Sequence, residues 1–360
     1  MYDRVASMGV SIGRQSQLNR MQSDLARLTG ELSSGRKSDP ARELGVGASL
    51  LYKLRADIQQ GDAIANAGTL AGQRLTAMQD ALSSVGELMD QMSSESLQAE
   101  VLKDDSFKTI ASNAREVLGS MMDLLNTSWN GQSLFAGLDS ATKPLSGAEA
   151  LTGETGWVQA AMADLLASSG ADPVEVGQSA DGAADGTLLG TFNAMFNNTV
   201  VGLDDSFYGV VYQAASRTGG EATQVRIGAG ETLQYDMRAD NPAFRDAFHA
   251  LSLLSLLDQP DTALSKEAKS DVLREAGTLM RGARSQLTTA AGILGAKQER
   301  LERVGEIQDR TVTAAAAQIN DLEGVDYYTI SDKISTLQIQ LQATYSITAQ
   351  ISKLSLVNYL

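Results

Sequence analysis

A mainly α-helical protein with one β-containing insert is predicted by three features of the chain. Each end carries a seven-residue apolar repeat, which on a helix makes one narrow apolar seam. Ala, Leu, Ser and Gln fill the outer thirds, a bias that suits long helices. The middle, residues 139–242, is broken by glycines and holds short runs with strand-like alternation. The expected plan is nested. Long N- and C-terminal helices form a coiled-coil and helical-bundle core, and a central α+β or mostly β domain is inserted between them.

The first helix is expected over Tyr2 to Leu32, with Leu18, Met21, Leu25, Leu28 and Leu32 recurring at steps of three and four. Ser33-Ser34-Gly35 stops it, Gly35 suiting a left-handed cap, and Asp39-Pro40 enforces an extended step. A second helix begins near Ala48 and passes Met92, with its clearest register at Leu75, Met78, Leu82, Val85, Met89 and Met92. Ser93 to Asp105 is polar and broken. A third helix follows on Phe107, Ile110, Ala114, Val117, Met121 and Leu124, and Asn126 to Gly131 ends it.

In the insert, Gly147, Gly153, Gly156, Gly170, Gly177, Gly182, Gly186 and Gly190 punctuate the chain. Val210-Val211-Tyr212, Gln224 to Ile227 and Thr232 to Met237 are expected to be strands, the last two joined by a Gly228-Ala229-Gly230 hairpin turn. Helix returns over Pro242 to Leu257 and from Lys266 onward, carrying Leu287, Leu294, Leu301, Val304, Val312, Ile319 and Leu322. Gly324-Val325-Asp326 interrupts it before a last seam of Ile330, Ile334, Leu337, Leu341, Thr344, Thr348 and Ile351. The terminal seams are too short to stand alone in water, so they pair with each other, with copies of themselves, or with both. Three layers are expected: residues 1–37 with 325–360 as a terminal coiled coil, 38–138 with 243–324 as a helical bundle, and 139–242 as an acidic outer domain.

Charge narrows the partners. The net charge is −15, and residues 139 to 240 alone hold fourteen acidic and four basic side chains. Residues 1–42 are mildly basic, with seven Arg or Lys against four acids. Without a concentrated basic stripe, nucleic acid is not an expected partner. The strongest apolar run, Leu251 to Leu257, is too short to span a bilayer, and Met1 to Arg20 lacks the apolar core of a secretory signal. No membrane partner and no cleaved signal peptide are therefore expected.

Catalytic chemistry is sparse. The chain has no cysteine and a single histidine, His249, so thiolate nucleophiles, Cys-ligated metals and two-histidine zinc sites are ruled out within one chain. His249 reads as a packed or capping helix residue, since no serine is set on a strand-to-helix elbow to use it as a base. Gly30-Glu31-Leu32-Ser33-Ser34-Gly35-Arg36-Lys37-Ser38 approximates a phosphate loop, but Arg36 displaces the lysine and the segment follows a helix. Gly45-Val46-Gly47 reads as a turn. Asp204-Asp205 reads as solvated charge without a calcium-binding ladder, and Met78, Met89, Met92, Met121 and Met122 read as core filling. No catalytic residue, metal or cofactor is expected, and the chain is read as a non-enzyme.

Leu18-Asn19-Arg20-Met21-Gln22-Ser23-Asp24-Leu25, continuing through Leu32-Ser33-Ser34-Gly35-Arg36-Lys37, resembles the opening of bacterial flagellins and flagellin-like axial proteins. The last ten residues, Ile351 to Leu360, resemble the terminus of the hook-filament junction branch of that family, and Asn130-Gly131-Gln132-Ser133-Leu134-Phe135-Ala136-Gly137 resembles its exit into a variable domain. The resemblance implies a structural subunit of the extracellular flagellum, exported unfolded through the type III apparatus with an export chaperone. It implies stacking of copies into a short tubular layer on hook-associated protein 1, with the terminal helices as a template for flagellin. A short filament flagellin is the alternative, and a flagellin-like protein with an enzymatic insert a more remote one. Lys37-Ser38-Asp39-Pro40-Ala41-Arg42-Glu43 is a compressed form of the family's spoke region. The assembly interface is expected at Leu18, Met21, Leu25, Leu28, Leu32, Ile330, Ile334, Leu337, Leu341, Ile351, Leu354 and Leu356.

Overall fold

The structure, a computed structural model, describes residues 2–99, 104–138, 140–153, 156–161, 192, 196, 207–212, 222–228, 230–258 and 266–357. Helices are α1 (Tyr2–Ser34), α2 (Pro40–Leu44), α3 (Ala48–Ala99), α4 (Asp104–Leu125), α5 (Glu149–Thr152), α6 (Phe207–Val211), α7 (Pro242–Ser255), α8 (Lys266–Glu323) and α9 (Tyr327–Val357). Strands are β1 (Ser128–Trp129), β2 (Gln132–Ser133), β3 (Gln224–Arg226) and β4 (Thr232–Gln234), forming two antiparallel hairpins. The chain divides into two compact units, Met1–Ala63 with Glu306–Leu360, and Ile64–Gly305.

The larger unit is built on helices whose apolar faces meet. Along α3, Leu75, Met78, Leu82, Val85, Met89 and Met92 are buried, and along α4 so are Phe107, Ile110, Ala114, Val117 and Met121. α7 packs against α4 and is apolar nearly all round, from Phe244 through Ala247, Phe248, Leu251 and Leu254, as an enclosed helix must be. Each such Leu or Phe contributes roughly 1.5–3 kcal/mol on burial. Met78, Met89, Met92, Met121 and Met122 all lie in this core. Asn241 caps α7 by accepting from the Ala243 N–H at 3.0 Å, with Pro242 in the first turn.

The insert shares that core. Leu145, Leu151, Trp157, Phe192, Phe196, Phe207 and Tyr208 belong to the same buried cluster as the bundle helices. The expected strand at Val210-Val211-Tyr212 is corrected: Val210 and Val211 end α6, and Tyr212 makes one isolated bridge to Leu145. The β-branched pair suggested a strand, but Phe207 and Val211 stand one helical turn apart and bury the same face. The β3–β4 hairpin is present, with Val225 opposite Leu233 and Gly230 at φ +80°, and its second strand is shorter than expected. α3 also continues to Ala99, through the polar stretch expected to break it.

The β1–β2 hairpin was not anticipated. Asn130 and Gly131 both have positive φ, 51° and 76°, which is the geometry of the two-residue turn that Asn-Gly favours. Arg74, buried on α3, donates to the Ser133 carbonyl at 2.8 Å and holds the chain leaving this hairpin. Asn126 receives the other side: its amide donates to the Leu145 carbonyl and accepts from the Leu145 N–H. Gly170, Gly177, Gly182, Gly186, Gly190, Ala229 and Asp204-Asp205 lie outside the described residues.

Candidate assembly interface

In the smaller unit the two ends of the chain pack on each other, α1 against α9. Leu28, Ile330 and Leu341 are buried in that seam, and Leu18, Met21, Leu25, Leu32, Ile334 and Leu337 are half-buried along it. Gln22 Nε2 donates to the Tyr345 hydroxyl at 2.6 Å across the pair. The helical backbone continues through Ile351, Leu354 and Leu356, whose side chains lie outside the described residues.

A polar clamp fixes the base of this pair. α1 ends at Gly35, whose φ is +70°, and its N–H returns to the Glu31 carbonyl at 2.8 Å. Lys37 N–H then donates to the Glu323 carbonyl at 2.9 Å and Val325 N–H to the Gly35 carbonyl at 3.2 Å, so the ends of α1 and α8 are tied as a short bridge. The Gly30–Ser38 segment is thus a helix end and a strap.

Two buried carboxylates sit at the clamp. Glu31 accepts from the Ser38 hydroxyl at 2.6 Å, the Ser38 N–H at 3.2 Å and Arg27 at 2.9 Å. Burial works to raise the Glu31 carboxyl, and the hydrogen bonds from Ser38 with the Arg27 charge outweigh it, holding it below its ordinary value. Glu323 pairs with Arg55. Lys37 Nζ donates to the Leu322 carbonyl at 2.8 Å, a cation at the C-terminal end of α8 where the helix dipole favours it.

Asp326 starts α9. Its carboxylate accepts from the Thr329 hydroxyl at 2.8 Å and the Tyr328 N–H at 2.9 Å, and these bonds lower its pKa. Below the clamp, α3 and α8 approach closely within this unit: Leu51, Leu54, Ala315 and Ile319 form a second core, and a Cβ at Gly61 would stand 2.8 Å from Val312 Cγ2. A groove of about 800 Å³ beside the clamp is lined by Asp24, Arg27, Glu43, Asp332 and Lys333 together with Leu28, Ile330 and Leu337.

The seam was legible in the repeat; the outer face of the pair was not. Tyr328 is 90% exposed, Ile339 67% and Ile347 54%, and Tyr345 is also exposed. Apolar side chains are therefore spread around α9, and pairing with α1 covers only part of them. A second step of the repeat, off the main seam, is the signal that could have shown this. Among the described residues no group of three or more His, Cys, Asp or Glu could hold a metal, and no helix is long and apolar enough to cross a membrane.

The family model of the bacterial flagellin N-terminal helical region matches residues 5–140, and that of the C-terminal helical region matches residues 278–360. A solved chain from Vibrio parahaemolyticus, described as a flagellar hook-associated protein, is similar in fold with a TM-score of 0.52 at 12% identity, over 77% of this chain and 97% of that one. No curated protein matches. The two flagellin matches together span more than half of the sequence, at the two ends that the structure folds into paired terminal helices, and the chain belongs to the flagellin-like family of flagellar structural proteins.

Proposed function

We propose that the chain is the hook-filament junction subunit of the flagellum, stacking on hook-associated protein 1 on one side and templating flagellin assembly on the other. The observation that carries the reading is the outer face of the terminal pair. Tyr328, Ile339, Tyr345 and Ile347 are exposed although α1 already covers the seam. A helix that is apolar beyond one stripe needs more than one neighbour, and copies of the same pair supply it. In this reading residues 1–37 and 325–360 line the inner wall of a tubular layer. Residues 38–138 and 243–324 form the bundle around it, and residues 139–242 face outward. The subunit reaches its place unfolded, through the type III export apparatus with a chaperone.

The resemblance of Ile351 to Leu360 to junction-protein tails supports this over a filament role. A short filament flagellin is the second reading, supported by the match of both ends to flagellin helical regions. Electron microscopy of a strain lacking the chain separates them. Intact hooks without filaments, with flagellin released into the medium, is the expected phenotype. Filaments that persist on the mutant hooks would overturn the junction reading, and a long uniform polymer of this chain on wild-type cells would establish the filament one.

A further inference from the structure

His249 is the single histidine of the chain and is enclosed on α7, 2% exposed. Its imidazole stacks on Phe196 with centroids 4.4 Å and planes 12° apart, and lies 6.1 Å from Phe192. Phe196 stacks in turn on Phe207 at 3.7 Å, and Trp157 stands 5.7 Å from Phe192, Phe196 and Phe207. These four aromatic rings come from the insert, whereas His249 comes from the helix that packs on α4. The imidazole is thus where the insert's aromatic cluster meets the bundle.

A neutral, flat ring suits that position and a cation does not. Burial first, and the Arg245 charge second, push His249 down to about 3. Arg245 lies one turn earlier on α7, its guanidinium 5.9 Å from the Tyr208 ring. Among the described residues, other ionisable groups stand on the elements around it. Asp240, ahead of α7, accepts from the Tyr208 hydroxyl at 2.9 Å. Tyr212, after α6, is raised well above its ordinary value by burial and stays neutral. Asp246 on α7 accepts from Gln286 of α8 at 2.8 Å. On α4, Arg115 donates to the Ser255 carbonyl and reaches Asp258, at the far end of α7. α5 contributes Glu149.

We propose that His249 is an acid-sensitive latch: in its neutral form it docks the aromatic cluster of the insert onto α7, and protonation releases that cluster. The sign follows from the lowered affinity of the docked ring for a proton. Above pH 6.5 neither docked nor released form carries the proton, so docking does not depend on pH. Between pH 6.5 and about 3 the released form takes the proton and the docked form does not, so the docking constant falls tenfold for each pH unit. The latch is independent of the assembly role.

A sole histidine gives one imidazole signal, so the full-length native chain can be followed directly by NMR, with Trp157 emission in a Trp129→Phe background reporting docking. The imidazole is expected not to titrate while the Trp157 signal is native. Urea titrations of the Trp157 signal, at pH values from about 8 to about 5, are expected to show the tenfold loss per pH unit below 6.5. His249→Phe and His249→Gln are expected to abolish that slope. An imidazole that titrates near pH 6.5 with the cluster still docked would overturn the proposal, as would an equal slope in the wild type and both variants. If neither variant folds, the wild-type imidazole signal alone decides.

Discussion

The Ser38 hydroxyl meets the Glu31 carboxylate at 2.6 Å, joining the strap after α1 to the last turn of that helix. With Arg27 and the Ser38 N–H also on the same oxygen, this buried carboxylate fixes the strap at the base of the α1–α9 pair. Glu31→Gln keeps the shape but weakens charge-assisted bonds, and a loss of about 2 kcal/mol in the stability of the terminal unit is expected. Because the Glu31 pKa is lowered on folding, its contribution is present above its ordinary pH range near 4.5 and is lost as pH falls through the lowered value. Thermal melting followed by helical circular dichroism should show wild type and variant converging at low pH; a gap that stays constant through acid would refute the role.

Gly35 turns the chain with φ +70°, and a Cβ there would stand 2.8 Å from the Tyr327 hydroxyl oxygen. Two penalties are therefore separable. The backbone cost of a left-handed alanine is about 1–2 kcal/mol, while the contact involves the far end of a flexible side chain that can move. Gly35→Ala should destabilise by about that backbone amount, and adding Tyr327→Phe should recover little of it. Full recovery in the double variant, measured by denaturant unfolding, would assign the strain to the contact instead.

Much of this architecture is legible in residue order because its signals are local. Gly35 and Gly324-Val325-Asp326 punctuate long apolar repeats, and the helices end at Ser34 and Glu323 as those residues dictate. Gly228 and Gly230 likewise announce the β3–β4 turn. Where the outcome rests on tertiary contact, the pattern misleads. Val210-Val211 has the branching of a strand, yet the pull of Phe207 and Val211 into one core makes it helical. For Glu31 and Glu323, nothing local says that Ser38 and Arg55 will reach them. The terminal seam was visible as a repeat, whereas the exposed Tyr328 and Ile339 show as a separate face only once α1 has taken its side of α9.

Gly61 sets the approach of α3 to α8 in the terminal unit. An added methyl would stand 2.8 Å from Val312 Cγ2 and 3.5 Å from Gln308 Oε1. Alanine in a helix interior is favoured over glycine by about 1 kcal/mol, and overpacking costs about 1–3 kcal/mol. Gly61→Ala alone should therefore be neutral to destabilising. In a Val312→Ala background, where the clashing methyl is gone, the same change should stabilise by about 1 kcal/mol. The double-mutant cycle, read by urea unfolding, should give a coupling of about 1–3 kcal/mol; additive effects would mean that the helices shift apart freely.

Leu337 and Ile339 stand two residues apart on α9 and separate the folding of the terminal pair from its assembly. Leu337 is half-buried on the α1 side, and Ile339 is 67% exposed on another face. Leu337→Asp puts a charge into the seam and should destabilise the pair by about 1–3 kcal/mol, blocking incorporation through loss of the helix pair itself. Ile339→Asp should change the stability of the monomer by no more than about 0.5 kcal/mol, since the residue is already in water. It should nevertheless block incorporation, because in a stack of copies that aspartate would be buried without a partner. Circular dichroism of the isolated chain and complementation of flagellar assembly in a deletion strain read the two effects separately. Normal assembly of Ile339→Asp, with Leu337→Asp defective, would confine the interface to the seam and remove the outer face of α9 from it.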